Sequence, residues 1–176
     1  QEKTMKISQA SVSVRFAITA FTPVAFGAEK DMNLGAFTKI QVNASVDMEV
    51  YVGKKSCFTM KGRDEDLEKL IIEVKGDTLV IKKKRNSGSI RQVDLTLGMN
   101  DLTNFTINGS SDVKINDVDT DSFDLHINGS GDVTLTGKSD QLNVKINAVG
   151  DVSSHCFGSL VGQLAFNVQG EVSLSG

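Results

Sequence analysis

The chain has 176 residues, of which 39% are hydrophobic and 23% are charged, and its formal net charge is −3. These values are typical of one folded domain with its own core, and they exclude an intrinsically disordered chain. The negative charge argues against nucleic acid as a partner. The chain has no Trp and a single Tyr, which argues against a site built on several stacking aromatics.

The first 28 residues have two possible interpretations. Val12, Val14, Phe16 and Ile18 alternate with polar or small residues, as in a half-buried strand. The apolar run at 16–28 follows basic residues and also resembles a secretory signal. No stretch reaches the roughly eighteen uninterrupted apolar residues of a membrane helix. We therefore treat 1–28 as an ordered strand or a remnant leader, and 29–176 as one β domain.

Residues 29–100 predict a mostly β region with one short helix. Apolar alternation marks strands at 37–42, 48–52, 57–60 and 90–97. Helical spacing predicts a helix over 63–70 with Asp64 as its cap. The segment 72–81 predicts a hairpin in which Gly76 supplies a positive φ.

Four copies of one phrase follow, each with an apolar strand, a turn related to Asn-Gly-Ser-Gly-Asp, and Val. Their acidic positions recur with spacings of 20, 19 and 20 and are Asp112, Asp132, Asp151 and Glu171. A fixed period near twenty residues indicates stacked copies of one unit, so 101–176 forms a regular repeat array. A weaker copy at 43–47 indicates an earlier rung.

The repeat predicts an all-β fold, a β-solenoid-like stack of roughly 20-residue units with two strands in each unit. Stacking in register would place equivalent apolar residues in one buried column, formed by Ile107, Ile127, Ile146 and Phe166. The alternative is a meander of hairpins packed as a sandwich, in which each Asn-Gly-Ser-Gly-Asp segment is a hairpin loop.

The segments Gly35–Ile40, Asp47–Tyr51 and Lys75–Ile81, together with the repeated Asn-Gly-Ser-Gly-Asp-Val, resemble the head GIN domain of auto-transporter adhesins. The resemblance covers nearly all of 29–176. It implies a right-handed β-solenoid-like fold and an exported protein of the Gram-negative envelope or surface, with no catalytic residues to carry over. The chain departs from the pattern at Ala148-Val149 and Val168-Gln169.

The acidic column Asp112, Asp132, Asp151 and Glu171 is the candidate ligand-binding site. Stacked rungs would place these carboxylates about 5 Å apart, on a wet edge where each neighbouring pair costs about 1 kcal/mol. We expect each carboxylate to accept backbone N–H groups of its own turn. The competing interpretation is a calcium ladder, but we predict no metal and no cofactor.

The remaining reactive side chains do not predict catalysis. His126 and His155 lack visible partners for zinc or a nucleophile, and Ser110 and Ser130 lack a supporting His and Asp. The basic segment 82–85 could hold acidic glycans or lipid headgroups, but we favour a solubilising edge. Cys57 and Cys156 are either two unpaired thiols or a disulfide, which the sequence does not decide.

We therefore expect no enzyme but an adhesin-like binding or structural domain, exported to the periplasm, outer-membrane surface or extracellular space. The expected partner is an envelope protein or a glycan. The alternative is a polysaccharide-binding or polysaccharide-processing β-helix protein. We also expect the C-terminal rung to be covered, either by a second copy of the chain in a homo-oligomer or by the N-terminal segment folding back across it, because the strand ending at Leu174 would otherwise leave an open edge.

Overall fold

The computed structural model describes residues 28–169 and 171–174, so both interpretations of residues 1–28 concern a segment that, except for Ala28, lies outside the described residues. The described part contains twelve strands and one short helix. In chain order these are β1 (Ala28–Met32), β2 (Lys39–Asn43), β3 (Asp47–Val52), β4 (Cys57–Gly62), α1 (Asp64–Leu67), β5 (Leu70–Lys75), β6 (Thr78–Lys83), β7 (Val93–Met99), β8 (Asn104–Ser110), β9 (Val113–Ser130), β10 (Val133–Val149), β11 (Val152–Gln169) and β12 (Val172–Leu174).

All twelve strands belong to one mixed sheet that divides into two wings. The first wing contains β1, β4, β7 and β3, the opening parts of β9, β10 and β11, and β12. The second wing contains β5, β6, β2 and β8 with the closing parts of β9, β10 and β11. The three long strands therefore join the wings, and the inner faces of both wings supply one hydrophobic core.

The expected right-handed β-solenoid-like stack is wrong. The sheet is mixed, because β1 pairs with β4, β4 with β7 and β5 with β6 in antiparallel orientation. Each of the central repeats is also one continuous strand of 17 or 18 residues, where two short strands were predicted. The period of twenty determines only the register within the array. It carries no information about how the non-repetitive strands join the same sheet.

The hairpin meander is wrong as well. β9 pairs with β10, and β10 with β11, in parallel orientation, although only two residues separate consecutive strands. Parallel neighbours normally need a long crossover connection. Here each strand curls so far that its end returns close to the start of the next strand. The Asn-Gly-Ser-Gly-Asp segment is therefore the return turn of a parallel array.

The curl of β9 is concentrated at an extra residue. Buried side chains fall at Ile115 and then at Val118, which breaks strict alternation, and Asp117 between them has φ 62°. An extra residue of this kind bends a strand, as in a β-bulge. On β10, Gly137 has φ 134° and faces Val118, whose carbonyl oxygen would lie 2.2 Å from an added Cβ. Only glycine fits this corner.

The register predicted from the repeat is confirmed. Ile107 pairs with Ile127, Ile127 with Ile146, and Ile146 with Phe166 in the backbone register. The three isoleucine side chains are at most 2% exposed. The side chain of Phe166 is outside the described part of the chain. The weaker copy at 43–47 is also confirmed as an earlier rung, because Val42 pairs with Ile107.

The helix is shorter than predicted, and the hairpin is confirmed. The prediction of 63–70 reduces to Asp64–Leu67, with Arg63 at the N-cap and no side-chain capping bond. Leu70 is recruited as the first residue of β5, because the strand buries its side chain in the sheet. β5 and β6 form the expected antiparallel hairpin, and Gly76 has φ 62° in its turn.

Candidate functional site

The acidic column lies on the outer face of the first wing, where strands begin after each return turn. Four carboxylates, those of Asp47, Asp112, Asp132 and Asp151, each accept a hydrogen bond from the backbone N–H of the acidic residue on the next rung. The bonds run from Asp112 N to Asp47 Oδ1 (3.2 Å), and from Asp132 N to Asp112 Oδ1, Asp151 N to Asp132 Oδ1 and Glu171 N to Asp151 Oδ1 (2.9 Å each). We call this series the acidic ladder.

The ladder differs from the prediction in its donors. The carboxylates are turn acceptors, as expected, but the N–H group that each one binds belongs to the next turn. Backbone hydrogen bonds also connect consecutive rungs. Val113 N donates to Asp132 O (2.8 Å), and Val133 N donates to Asp151 O (2.9 Å). Asp, with its short carboxylate, therefore links consecutive rungs.

The row of acidic residues extends beyond the predicted column. Asp47 on β3 belongs to it, and Asp94 on β7 pairs with Asp47 in the sheet register. Asp47 lies in the weak first copy of the repeat, so its sequence signal was present. Asp94 lies outside the repeat, and only the pairing of β7 with β3 brings it into the row.

A second ladder of side-chain amides runs along the other side of the return turns. Asn108 Nδ2 donates to Asn43 Oδ1 (2.8 Å), and Asn128 Nδ2 donates to Asn108 Oδ1 (3.1 Å). Asn147 and Asn167 continue the same backbone register. These asparagines occur in the repeat because identical amides can donate to and accept from one another across parallel strands.

Asp47, Asp112 and Asp132 of the acidic ladder line an open groove on β7, β3, β9 and β10, with a volume of about 520 Å³. We call it the acidic groove. Its polar lining consists of Asp47, Glu49, Asp94, Thr96, Asp112, Lys114, Asp132 and Thr134. Five carboxylates face a single lysine, so the field in the groove is negative. It disfavours anionic ligands and favours neutral or cationic ones.

The single Tyr of the chain lies next to this groove. Tyr51 is two residues along β3 from Glu49 on the same face, and it is partly buried. The Glu49 carboxylate accepts the phenol hydrogen bond and raises the pKa of Tyr51 above its usual value. Gly98 is the register partner of Tyr51 on β7 and supplies no side chain there.

A second open groove, of about 840 Å³, lies on the outer face of the second wing. We call it the amide groove. Its polar lining consists of Asn104, Asp124, His126, Gln141, Asn143 and Lys145. Asn143 Nδ2 donates to Asp124 Oδ1 (2.8 Å), and Thr106 Oγ1 donates to Asn104 Oδ1 (3.2 Å). The sequence pattern predicted that His126 lies at the surface, but it did not predict this groove.

The other candidate residues remain apart from one another. Ser110 and Ser130 are exposed, and the side chain of His155 is outside the described part. In the basic segment, Lys82 binds Glu73 and Lys83 Nζ donates to Gly88 O (2.9 Å). Cys57 is a free, exposed thiol, so the disulfide alternative is wrong.

The described residues include neither a metal-binding cluster nor a membrane-spanning helix. Within 28–169 and 171–174, no three His, Cys, Asp or Glu side chains are grouped in a way that could hold a metal ion. Over the same part of the chain, no helix has the length and apolar character needed to cross a membrane.

Known proteins resemble this chain in both sequence pattern and fold. The family described as "Putative auto-transporter adhesin, head GIN domain" matches residues 36–176. The chain belongs to this family. A comparison with curated proteins finds no match.

Solved structures share the fold of this GIN domain at low sequence identity. A putative adhesin from Bacteroides fragilis is 15% identical with a TM-score of 0.60, over 87% of this chain and 99% of that one. A putative lipid binding protein from Parabacteroides distasonis is 16% identical with a TM-score of 0.63, over 77% of this chain and 61% of that one. A putative cell adhesion protein from Clostridium sporogenes is 12% identical with a TM-score of 0.50, over 85% of this chain and all (100%) of that one. At these identities the likeness establishes the fold alone.

Proposed function

We propose that this GIN domain is a non-catalytic, adhesin-like binding domain that is exported to the envelope or surface of a Gram-negative bacterium. The observation that carries the proposal is the acidic groove, an open row of in-register side chains on the outer face of the sheet. Membership of an adhesin family supports the same class of function. The partner is an envelope protein or a glycan.

The charge of the groove restricts the partner. Each ladder carboxylate uses one oxygen for the backbone N–H of the next rung, which leaves its other oxygen available to a ligand. Thr96 and Thr134 add hydroxyl groups. A partner that donates hydrogen bonds and carries no excess of negative charge fits this surface.

The proposal is tested by measuring binding of the purified domain to immobilised bacterial envelope and to arrayed glycans. The variant Asp94→Asn combined with Glu49→Gln removes two groove charges without removing a ladder acceptor. We expect it to weaken binding and to reduce the salt dependence of binding. The control Asp121→Asn removes an exposed carboxylate outside the groove and should change neither.

Two results would contradict the proposal. Equal binding by the groove variant and the control would exclude the acidic groove as the contact surface. Cleavage of a polysaccharide by the purified domain would exclude a non-catalytic role.

Self-association through the C-terminal rung remains a proposal alongside this one. Among the described strands, β12 has a partner on one side only, namely β11. An edge strand offers unpaired N–H and C=O groups to another chain. Light scattering that finds only monomers at high concentration would exclude it.

A further inference from the structure

We propose that the amide groove is a second binding site, independent of the acidic groove, and that it takes a neutral, hydroxyl-rich glycan chain. The groove lies on the outer face of the second wing, across β8, β9 and β10 and onto β11. The acidic groove lies on the first wing, so the two sites share none of their lining residues.

The first argument is the balance of charge. Asp124 and Lys145 are the carboxylate and the ammonium group of the lining, and amides and an imidazole supply the rest. A lining with no surplus of either charge gives no electrostatic advantage to an anion or a cation. The selectivity of such a surface must come from hydrogen bonding.

The second argument is the kind of hydrogen bonding available. Side-chain amides donate through nitrogen and accept through oxygen, and neutral imidazole has one donor and one acceptor. A sugar hydroxyl also donates and accepts, so it can use both kinds of group at once. By contrast, a carboxylate row such as the acidic ladder offers acceptors only.

The third argument is that some of these groups are already held in place. Asn143 is fixed by its bond to Asp124 Oδ1 (2.8 Å), and Asn104 by the hydroxyl of Thr106 (3.2 Å). Each amide keeps hydrogen-bonding capacity beyond that one bond. Side chains that are ordered before binding lose less entropy when a ligand arrives.

The fourth argument is the shape of the groove. Asn104, Asp124 and Asn143 share one row of the register, and Thr106, His126, Lys145 and Ala165 share the next. Within each row, residues on neighbouring strands lie about 4.8 Å apart, a regular spacing that suits a chain-like ligand lying across the strands. Ala165 is exposed and short, so the groove stays open at β11.

The test measures retention of the domain on immobilised neutral hexose oligosaccharides of increasing length, beside sulfated versions of the same chains. Ala165→Phe fills the groove at an exposed position, so we expect the fold to persist and retention to fall at least about tenfold. Asn143→Ala should weaken retention by removing a fixed amide. Asp121→Asn, at an exposed position outside both grooves, is the control and should bind like the parent.

Each other result overturns the proposal. If no neutral oligosaccharide is retained, or only the sulfated chains are, the glycan class is wrong. If Asp94→Asn combined with Glu49→Gln, in the acidic groove, weakens retention as much as Ala165→Phe does, the ligand occupies the acidic groove. The domain could instead bind anionic lipid vesicles or associate with itself. If Ala165→Phe abolishes one of these activities and no glycan binding is found, the groove has another occupant. Melting curves of the variants separate loss of the site from loss of the fold.

Discussion

The N-terminal region (28–99) and the repeat array (104–174) satisfy their charged and polar groups in different ways. In the N-terminal region opposite charges meet, as in Lys39 with Asp77 (2.9 Å) and Lys69 with Asp66 (2.8 Å). In the array, identical residues stack on parallel strands. Asn128 donates to Asn108, and the Asp132 carboxylate accepts the N–H of Asp151.

The difference shows how a repeat can line up like charges that are held by hydrogen bonds to the backbone rather than by ion pairs. Each ladder carboxylate binds a neutral backbone N–H of the next rung, while its exposed position keeps the repulsion between neighbours to about 1 kcal/mol. Because this arrangement depends on close contact between rungs, the array should be sensitive to added bulk. The N-terminal region should instead be sensitive to acid.

The largest effect should follow from adding one methyl group at a return turn. Gly131 has φ +128°, and an added Cβ would lie 2.2 Å from the carbonyl oxygen of Ser111. We expect Gly131→Ala to lower the free energy of unfolding by about 3 kcal/mol or more, measured by chemical denaturation.

The control for this variant separates backbone strain from contact between rungs. Gly53 also has a positive φ, +73°, but has no heavy atom within 4 Å of an added Cβ. Gly53→Ala should cost only the strain of a left-handed residue, about 1–2 kcal/mol. Equal costs for the two variants would mean that contact between rungs does not limit the array.

The next largest effect should come from the buried column shared by the repeats. Ile127 is 2% exposed and lies between Ile107 and Ile146. Ile127→Ala should cost about 2–5 kcal/mol in a denaturation experiment. Val149→Ala, at a side chain that is 54% exposed, should change stability by less than about 0.5 kcal/mol. A small cost at Ile127 would show that the column does not carry the stability of the array.

The sequence predicted this column because residues one period apart are chemically alike. The same period could not predict the architecture. Whether β4 runs antiparallel beside β7 depends on which partners its buried Phe58 and Met60 find, and no repeat specifies them. The joining of two short strands into the long β9 depends on one residue, Asp117, whose positive φ turns the corner without breaking the strand.

The candidate site was predictable to the same extent. The column from Asp112 to Glu171 followed from the spacing, and its role as a hydrogen-bond acceptor followed from turn chemistry. The donor was not predictable, because an N–H group of the same turn and one of the next turn are equally compatible with the sequence. Asp94 and the amide groove depend on sheet register between distant segments, which one sequence does not contain.

Acid should lower the stability of the N-terminal region, and we expect Asp66 to contribute to this sensitivity. This carboxylate is buried, and its pKa is held below the usual 3.8 chiefly by the hydrogen bond from Lys69. Arg63 lies 2.9 Å from the other oxygen, close enough for an ion pair though poorly aligned for a hydrogen bond. The pKa values of Glu73 and Asp77 are also lowered, by bonds from Lys82 and Lys39 respectively.

A lowered pKa in the folded state means that the ionised group stabilises the protein above its unfolded pKa. This contribution is therefore present at neutral pH and is lost as pH falls through the lowered folded pKa. We expect Asp66→Asn to reduce the melting temperature at pH 7 and the difference from the parent to shrink below about pH 4. Glu68→Gln, an exposed neighbour in the sequence, is the control. A difference that is independent of pH would exclude the ion-pair explanation.

A smaller effect should follow from removing one acceptor of the acidic ladder. Asp132→Ala leaves the N–H of Asp151 without its carboxylate and should cost about 1–2 kcal/mol. Asp132→Asn keeps a carbonyl oxygen at the same place and removes a like charge from the row, so it should be close to neutral. If Asn cost as much as Ala, the negative charge itself, and not the hydrogen bond, would be what the rung requires.

The smallest effect should be that of calcium. Each ladder carboxylate already binds a backbone N–H, and within 28–169 and 171–174 no group of three potential ligands could hold a metal ion. A ligand that binds the native state raises the melting temperature by an amount that grows with the ratio of its free concentration to its Kd. Millimolar calcium should therefore leave the melting temperatures of the parent and of Asp132→Asn nearly unchanged. A rise of many degrees in the parent, absent from the variant, would make the acidic ladder a cation site. The carboxylates of the array would then depend on positive charge, as those of the N-terminal region do.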